Sequence, residues 1–397
     1  MITRRALLSG ALAAPAAPPP RNVAAIVTEY RPRSHADVIC GRILEGYRPN
    51  DVMRAPRTRL VSMYTDQVAP QDMSRALAAK HGFKIYPPIA EALTRGGSKL
   101  AVDAVLFVGE HGNYPTNERG QKLYPRYELF GKIVEVLRAS GRRVPVFSDK
   151  HLSYSWQKAR QMYGWTRELR LPFMAGSSIP LTVRIPEVEL PFNAPVEHAV
   201  AASYGDLDAY GFHALETLQC MVERRAGAEK GIAAVEWIEG GAVWKWRDGP
   251  GRWSAPLLEA ACAANPETTP GRPEDHCKQP VVFVLEYRDG FQAAVYMLEG
   301  HVRGWVFGAK LKDRPAPLAC NFGLVKPGRD LPHFDGLVDC IEQMFVTGKP
   351  VYPVERTLLT TGALSLLFES RARKQRIATP ELGVAYRAPR HAYFQRA

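Results

Sequence analysis

Asp149, Lys150 and His151 stand in a row after a β-branched and aromatic run that begins at Val144. A run of that composition reads as a strand. A lysine at a strand's carboxyl end can shed its proton once desolvated and so serve as acid or base. In an open α/β sheet, ligands bind just outside those ends. A second apolar run, Val102 to Val108, leads into Glu110 and His111. His213 and Glu216 lie one turn apart in a helix-like stretch from Gly211 to Glu223. Carboxylates and imidazoles also suit a divalent ion, so Glu110, His111, His151 and His213 form an alternative metal set. No H-x-x-x-H or H-x-H spacing supports that alternative.

The elements that must position these residues alternate in type. Strands are expected at Asn22–Val27, Arg59–Tyr64, Phe83–Tyr86, Val102–Val108 and from Val144, with helices between them. Such alternation predicts a doubly wound parallel sheet over about 22–175. The second half, 176–385, reads differently. Separate strands at Val200–Tyr204, Ile232–Ile238, Gly241–Trp246, Pro280–Tyr287 and Gln292–Met297, with Asp-Gly turn signals, predict a mainly antiparallel sheet with helices on one face. Residues 248–279 read as a loop rich in Pro, Gly and charge, and 386–397 as a tail. The polar-aromatic loop from Gly112 to Arg126 is long enough to suggest a lid.

The chain has 397 residues and a formal charge of +12. The length fits two domains with a sizeable core. The charge is diffuse: no basic helix carries interleaved aromatics, so nucleic acid is not an expected partner. The six cysteines form no CxxC pair, which excludes zinc-ribbon and thioredoxin chemistry. Cys262 and Cys277 flank the Pro-rich loop and could pair in an oxidising compartment. Residues 1–20 carry Arg4-Arg5 before a short Ala-rich run and a Pro-rich stretch. This reads as a twin-arginine export signal, hence a periplasmic or exported protein, with a disordered tail on a cytoplasmic protein as the alternative. The apolar run is too short for a stable membrane span.

The order of these pieces resembles the Gfo/Idh/MocA family of glucose–fructose oxidoreductase-like dehydrogenases. Asp149-Lys150-His151-Leu-Ser is similar to the family's Glu-Lys-Pro-Leu-Ala motif, and Gly211-Phe-His213-Ala-Leu-Glu216 to its Gly-x-His-x-x-Asp segment. Ala78 to Leu93 and the helices expected after Phe334 and Pro353 also fit, so the likeness covers most of 22–380. It implies a Rossmann-like nucleotide-binding domain and NAD or NADP as cofactor, with a sugar, polyol or related hydroxy compound as small-molecule substrate. It further implies Lys150 as catalytic acid/base, receiving the hydroxyl proton as hydride leaves for the nicotinamide. His213 would orient the substrate, joined by His151, Asp149 and His111. Glu216 would hold the His213 tautomer, and Asp66 would accept the ribose hydroxyls, with Glu110 nearby. A homo-oligomer through the C-terminal sheet is possible.

This chain departs from the family where the cofactor should bind. Val27, Glu29 and Pro32 stand where the fingerprint G-x-G-x-x-G has its glycines. Glu29 would repel a pyrophosphate unless Arg31 or Arg33 turns inward to offset it. His151 replaces the family's proline, and the family's Asp four residues before the second histidine is Ala209 here, with Asp208 one step off. Two further readings follow. One is a non-redox hydrolase or lyase in the same cleft, with or without a metal; the other is a catalytically silent binding protein on this fold.

Overall fold

The computed structural model describes residues 19–324, 326, 328–391 and 393–396. The expected export signal lies outside the described residues. The first unit runs β1 (Arg21–Val27), α1 (His35–Glu45), β2 (Thr58–Thr65), α2 (Ser74–His81), β3 (Lys84–Ile85), α3 (Ile89–Thr94), β4 (Ala104–Val108), α4 (Arg126–Ser140), β5 (Val146–Asp149), α5 (Trp156–Glu168) and β6 (Phe173–Gly176). Its six strands pair in the order β3-β2-β1-β4-β5-β6, and every pair is parallel. All of β4 and β5, and β1 from Val23 onward, are buried, as expected for parallel strands covered by helices on both faces. The order reverses direction between β1 and β4, which opens a crevice at their carboxyl ends.

The second unit runs β7 (Val183–Ile185), β8 (Val196–Ser203), α6 (Ala209–Val222), β9 (Ile232–Glu239), α7 (Ala242–Asp248), α8 (Ala255–Ala263), α9 (Pro273–His276), β10 (Val281–Tyr287), β11 (Gln292–Met297), β12 (Trp305–Leu311), β13 (Leu318–Gly323), α10 (His333–Thr347), α11 (Val354–Arg373) and β14 (Ile377–Ala378). Its eight strands pair in the order β14-β9-β10-β11-β8-β12-β13-β7. Every pair is antiparallel except β11 with β8. Helices α6 and α11 cover one face, where Phe212, Leu215, Val235, Phe283 and Leu364 share one apolar cluster.

Two expectations for this half fail. Gly241–Trp246 is not a strand: Ala242–Asp248 is helical, because Val243 packs down onto the sheet while Trp244 and Trp246 lie along its surface. Residues 248–279 are not simply a loop, since α8 buries Leu257, Leu258 and Ala261 against Val200, Tyr296 and Val306 on the sheet's other face.

The C-terminal helices tie the units together. α10 packs on α1, and its Glu342, fully buried, accepts hydrogen bonds from Thr58 N (2.9 Å) and the Tyr47 hydroxyl (2.9 Å). α11 touches α5 and β6 as well as α6 and β9. Near the C-terminus Phe394 is buried beneath the Arg184 guanidinium. All six cysteines, Cys262 and Cys277 included, are buried free thiols. Among the described residues no helix is long and apolar enough to cross a membrane.

Candidate functional site

β5 ends in Asp149 and delivers Lys150 to the crevice. Lys150 adopts a left-handed backbone (φ 67°), held by its N–H donating to Gly176 O (3.1 Å). From the second unit, α6 brings His213 to meet it, with Lys150 Nζ 2.6 Å from His213 Nε2. Both are buried, 3% and 7% exposed. An ammonium can only donate, so His213 Nε2 is the acceptor and the imidazole proton sits on Nδ1, which has no protein partner. Burial, then the Lys150 charge, holds His213 well below its ordinary pKa. Trp305 packs edge-on against that ring (5.7 Å) and Tyr210 stands beside it (6.1 Å).

β4 supplies Glu110 and His111. Glu110 lies 3.7 Å from Lys150 Nζ and pairs with Arg126, the first residue of α4. Burial alone would raise the Glu110 carboxyl, but the two cations outweigh it and hold it below its usual range. Arg126 Nη1 also donates to His151 Nε2 (2.9 Å). His151 is held neutral by burial, then by Arg126. His111 is lowered to about 4, first by burial and then by neighbouring His35. Asp208, at the start of α6, lies 3.9 Å from His151 and accepts from Lys122 N (2.9 Å). Although one step off the family pattern, it reaches the cleft.

Lys150, His151, His213, Glu110 and Asp208 therefore gather in one buried cluster where the two units meet. Asp149 turns toward α1, accepting from His35 Nδ1 at 2.6 Å. His111 stands against His35 with ring centroids 5.3 Å apart. The expected hold of Glu216 on His213 is absent. Glu216, one turn further along α6, is fully buried and accepts instead from Ser177 N (3.1 Å), Thr357 Oγ1 (3.2 Å) and Thr360 Oγ1 (3.1 Å). Gly176 lets it approach, since a Cβ there would lie 2.7 Å from Glu216 Oε2. The alternative metal set is not assembled either. Arg126 stands between Glu110 and His151, Lys150 between Glu110 and His213, and no group of three potential ligands forms among the described residues. Composition and spacing marked the ends of β4 and β5. They carried no sign of Arg126, His35 or Trp305, whose roles arise only when distant elements meet.

The loop between β1 and α1 does not fit a dinucleotide pyrophosphate. Val27 is fully buried in the core, and Glu29, in the loop that leads into α1, is 2.5 Å from Arg31 Nε in an ion pair. Several of the loop's backbone donors are used within it. Arg31 N and Asp37 N donate to Ser34 Oγ (3.2 Å each), Arg33 N to the Asp37 carboxylate (2.8 Å) and Ser34 N to Arg31 O (3.0 Å). Pro32 has no N–H. Arg31 does turn inward, toward Glu29 and His111 (3.4 Å), but Arg33 does not. It is exposed and pairs with Asp330 (3.2 Å). Asp66, expected to meet the ribose, is taken by the Tyr64 and Tyr114 hydroxyls, each at 2.6 Å.

No protein-family model and no curated protein matches the chain. Solved structures do. GenD2 from gentamicin A biosynthesis, in complex with NAD, is 14% identical with a TM-score of 0.58, over 90% of this chain and 96% of that one. A putative myo-inositol dehydrogenase from Sinorhizobium meliloti is 12% identical with a TM-score of 0.55, over 90% and 99%. The scyllo-inositol dehydrogenase of Lactobacillus casei, with NAD(H) and scyllo-inositol bound, gives 12%, 0.55, and the same coverage. At such identities the likeness is one of fold.

Proposed function

We propose that this chain, whose two-unit fold is the one the Gfo/Idh/MocA resemblance implied, is an oxidoreductase-like enzyme acting on a sugar, polyol or related hydroxy compound. The observation that carries this reading is the 2.6 Å approach of Lys150 to His213 across the two units. In its neutral form Lys150 accepts the proton of a substrate hydroxyl, while His213 holds a neighbouring oxygen. Trp305 and Tyr210 wall the cleft beside that imidazole. Low-exposure walls exclude water and strengthen each polar contact. NAD or NADP is the cofactor suggested by the solved neighbours that carry NAD or NAD(H). The loop after β1 does not fit that group, so the chemistry assigned to this chain's residues is the proton transfer alone.

The same loop favours a second reading, non-redox acid–base chemistry on a hydroxy compound in the same cleft. One set of assays separates the two. Purified protein is screened against inositols and sugars with and without NAD and NADP, and wild type is compared with Lys150→Met. Nicotinamide-dependent turnover that Lys150→Met abolishes supports the first reading, and nicotinamide-independent turnover the second. Turnover that survives Lys150→Met sinks both. Export through Arg4 and Arg5 belongs to the same proposal, placing the reaction outside the cytoplasm.

A further inference from the structure

Arg126 has no exposed surface, yet it carries a charge and begins a helix. Its socket is built from several sides. Gly109, at the end of β4, leaves room for the stem: a Cβ there would sit 2.8 Å from Arg126 Cγ and 3.1 Å from Phe107. The Tyr124 ring lies 4.6 Å from the guanidinium carbon. Each nitrogen is used, with Nε donating to Gly109 O (2.8 Å), Nη1 to His151 Nε2 (2.9 Å) and Nη2 to Glu110. A buried cation is a poor way to gain stability, because desolvation offsets the attraction. Its geometry is what sets it apart. The rigid fork reaches two side chains that flank Lys150, which a flexible lysine could not do with one point charge.

We propose that Arg126 is a positioning residue that clamps the Glu110 carboxylate and the His151 imidazole beside Lys150, fixing which His151 nitrogen carries the proton. The donor at Nη1 requires a lone pair on His151 Nε2, so the proton resides on Nδ1, which is buried and free of protein partners. The groups facing that imidazole are Arg126, Glu110, Lys150 and Asp208, with Phe212 against its ring (5.2 Å). Without the clamp, His151 keeps two carboxylates nearby and loses its closest cation. Burial still opposes its charging, but nothing then fixes which of its nitrogens carries the proton beside Lys150. The inference rests on the reading of Lys150 as acid/base, but its test needs no substrate.

The test is nitrogen NMR of ¹⁵N-histidine-labelled full-length protein, with His151 assigned from the signal lost in His151→Gln. In wild type, His151 should show the neutral Nδ1–H form without titrating between about pH 5 and 8, the window of an ordinary histidine. In Arg126→Met the fixed tautomer should be lost, the Nδ1–H signal giving way to a proton divided between the two nitrogens. Arg126→Lys keeps the charge but not the fork, so His151 should stay neutral while its proton divides between the two nitrogens. If Arg126→Met does not fold, Arg126→Lys decides alone. A His151 spectrum unchanged by the variants, or a wild-type signal of the Nε2–H form, overturns the proposal. Failure of Lys150 as acid/base would be seen separately, as turnover surviving Lys150→Met with the His151 spectrum as expected.

Discussion

Lys150 and His111 both carry positive φ, 67° and 69°, a conformation costing a side-chain-bearing residue on the order of 1–3 kcal/mol. That both occur at strand ends facing one cleft argues for a site held in place by its surroundings. Asp208 gives this scale its clearest pH signature. Burial raises its carboxyl from the ordinary 3.8 to about 6. The folded state therefore binds this proton more tightly than the unfolded chain does. Stability from this group is fully present below about pH 4 and declines as pH rises through about 6. Two pH units correspond to at most about 3 kcal/mol. Asp208→Asn, which keeps an acceptor for Lys122 N, should flatten that decline in denaturant melts taken from pH 4 to pH 7. A wild-type curve with no such fall would refute the assignment. Glu29 offers a second test. If a dinucleotide binds, removing a charge that repels phosphate by about 1 kcal/mol or more should tighten binding at least about fivefold in Glu29→Gly. Arg31→Ala should weaken it by leaving Glu29 unpaired. Calorimetric titration of both nicotinamide cofactors checks this, and wild-type micromolar binding indifferent to both changes would overturn the placement of the loop.

Among the elements, the segment from Gly112 to Pro125 joins the first unit to Asp208 at the start of α6. It touches both sides: Tyr114 bonds Asp66, Asn113 N donates to Gln67 (2.8 Å), Gln121 reaches Tyr154 O (2.9 Å), and Lys122 N meets Asp208. Its length and composition marked it as a lid, and these contacts place it across the crevice. Tyr114→Phe removes one hydrogen bond worth about 1 kcal/mol, so proteolytic cutting within 112–125 should quicken several-fold while the global melt barely moves. Equal cutting rates would mean the segment is not latched there. The other elements show what a sequence pattern can carry. β1, β4 and β5 were legible because continuous apolar runs bounded by polar ends have few alternatives. α7 was misread because Val243 with Trp244 and Trp246 fits both periods over so few residues, and tertiary packing alone decided. The site followed the same rule. Strand-end chemistry and helix spacing singled out Lys150 and His213, which the fold brings together, whereas Glu216, a turn along the same helix, is claimed by Ser177 N, Thr357 and Thr360 from elements that local spacing does not reveal.

At the scale of the whole molecule, export and self-association remain to be tested. Changing Arg4 and Arg5 together to Lys should hold a fusion reporter in the cytoplasm, and unchanged export would sink the twin-arginine reading. Self-association was expected through the C-terminal sheet, and the fold bears on it directly. α6 and α11 occupy one face entirely within the chain. On the other, α8 packs over β8, β12 and β13, and Val243 of α7 joins the same cluster. What stays partly open on one side of β9 and β10 is Glu236, Ile238, Val284 and Glu286, residues that share that side by their pairing. Burial raises the Glu236 carboxyl and Glu286 adds to the rise, although Arg376 counters it. A two-fold axis there would bring two Glu236 carboxylates and two Glu286–Arg376 ion pairs together beside Ile238 and Val284, a more charged centre than a stable dimer usually has. The sheet should therefore not support a tight dimer, and light scattering at micromolar concentration should give the monomer mass. If a dimer appears, Val284→Glu should dissociate it only when this face is the interface, and a dimer insensitive to that change would place the contact elsewhere on the molecule.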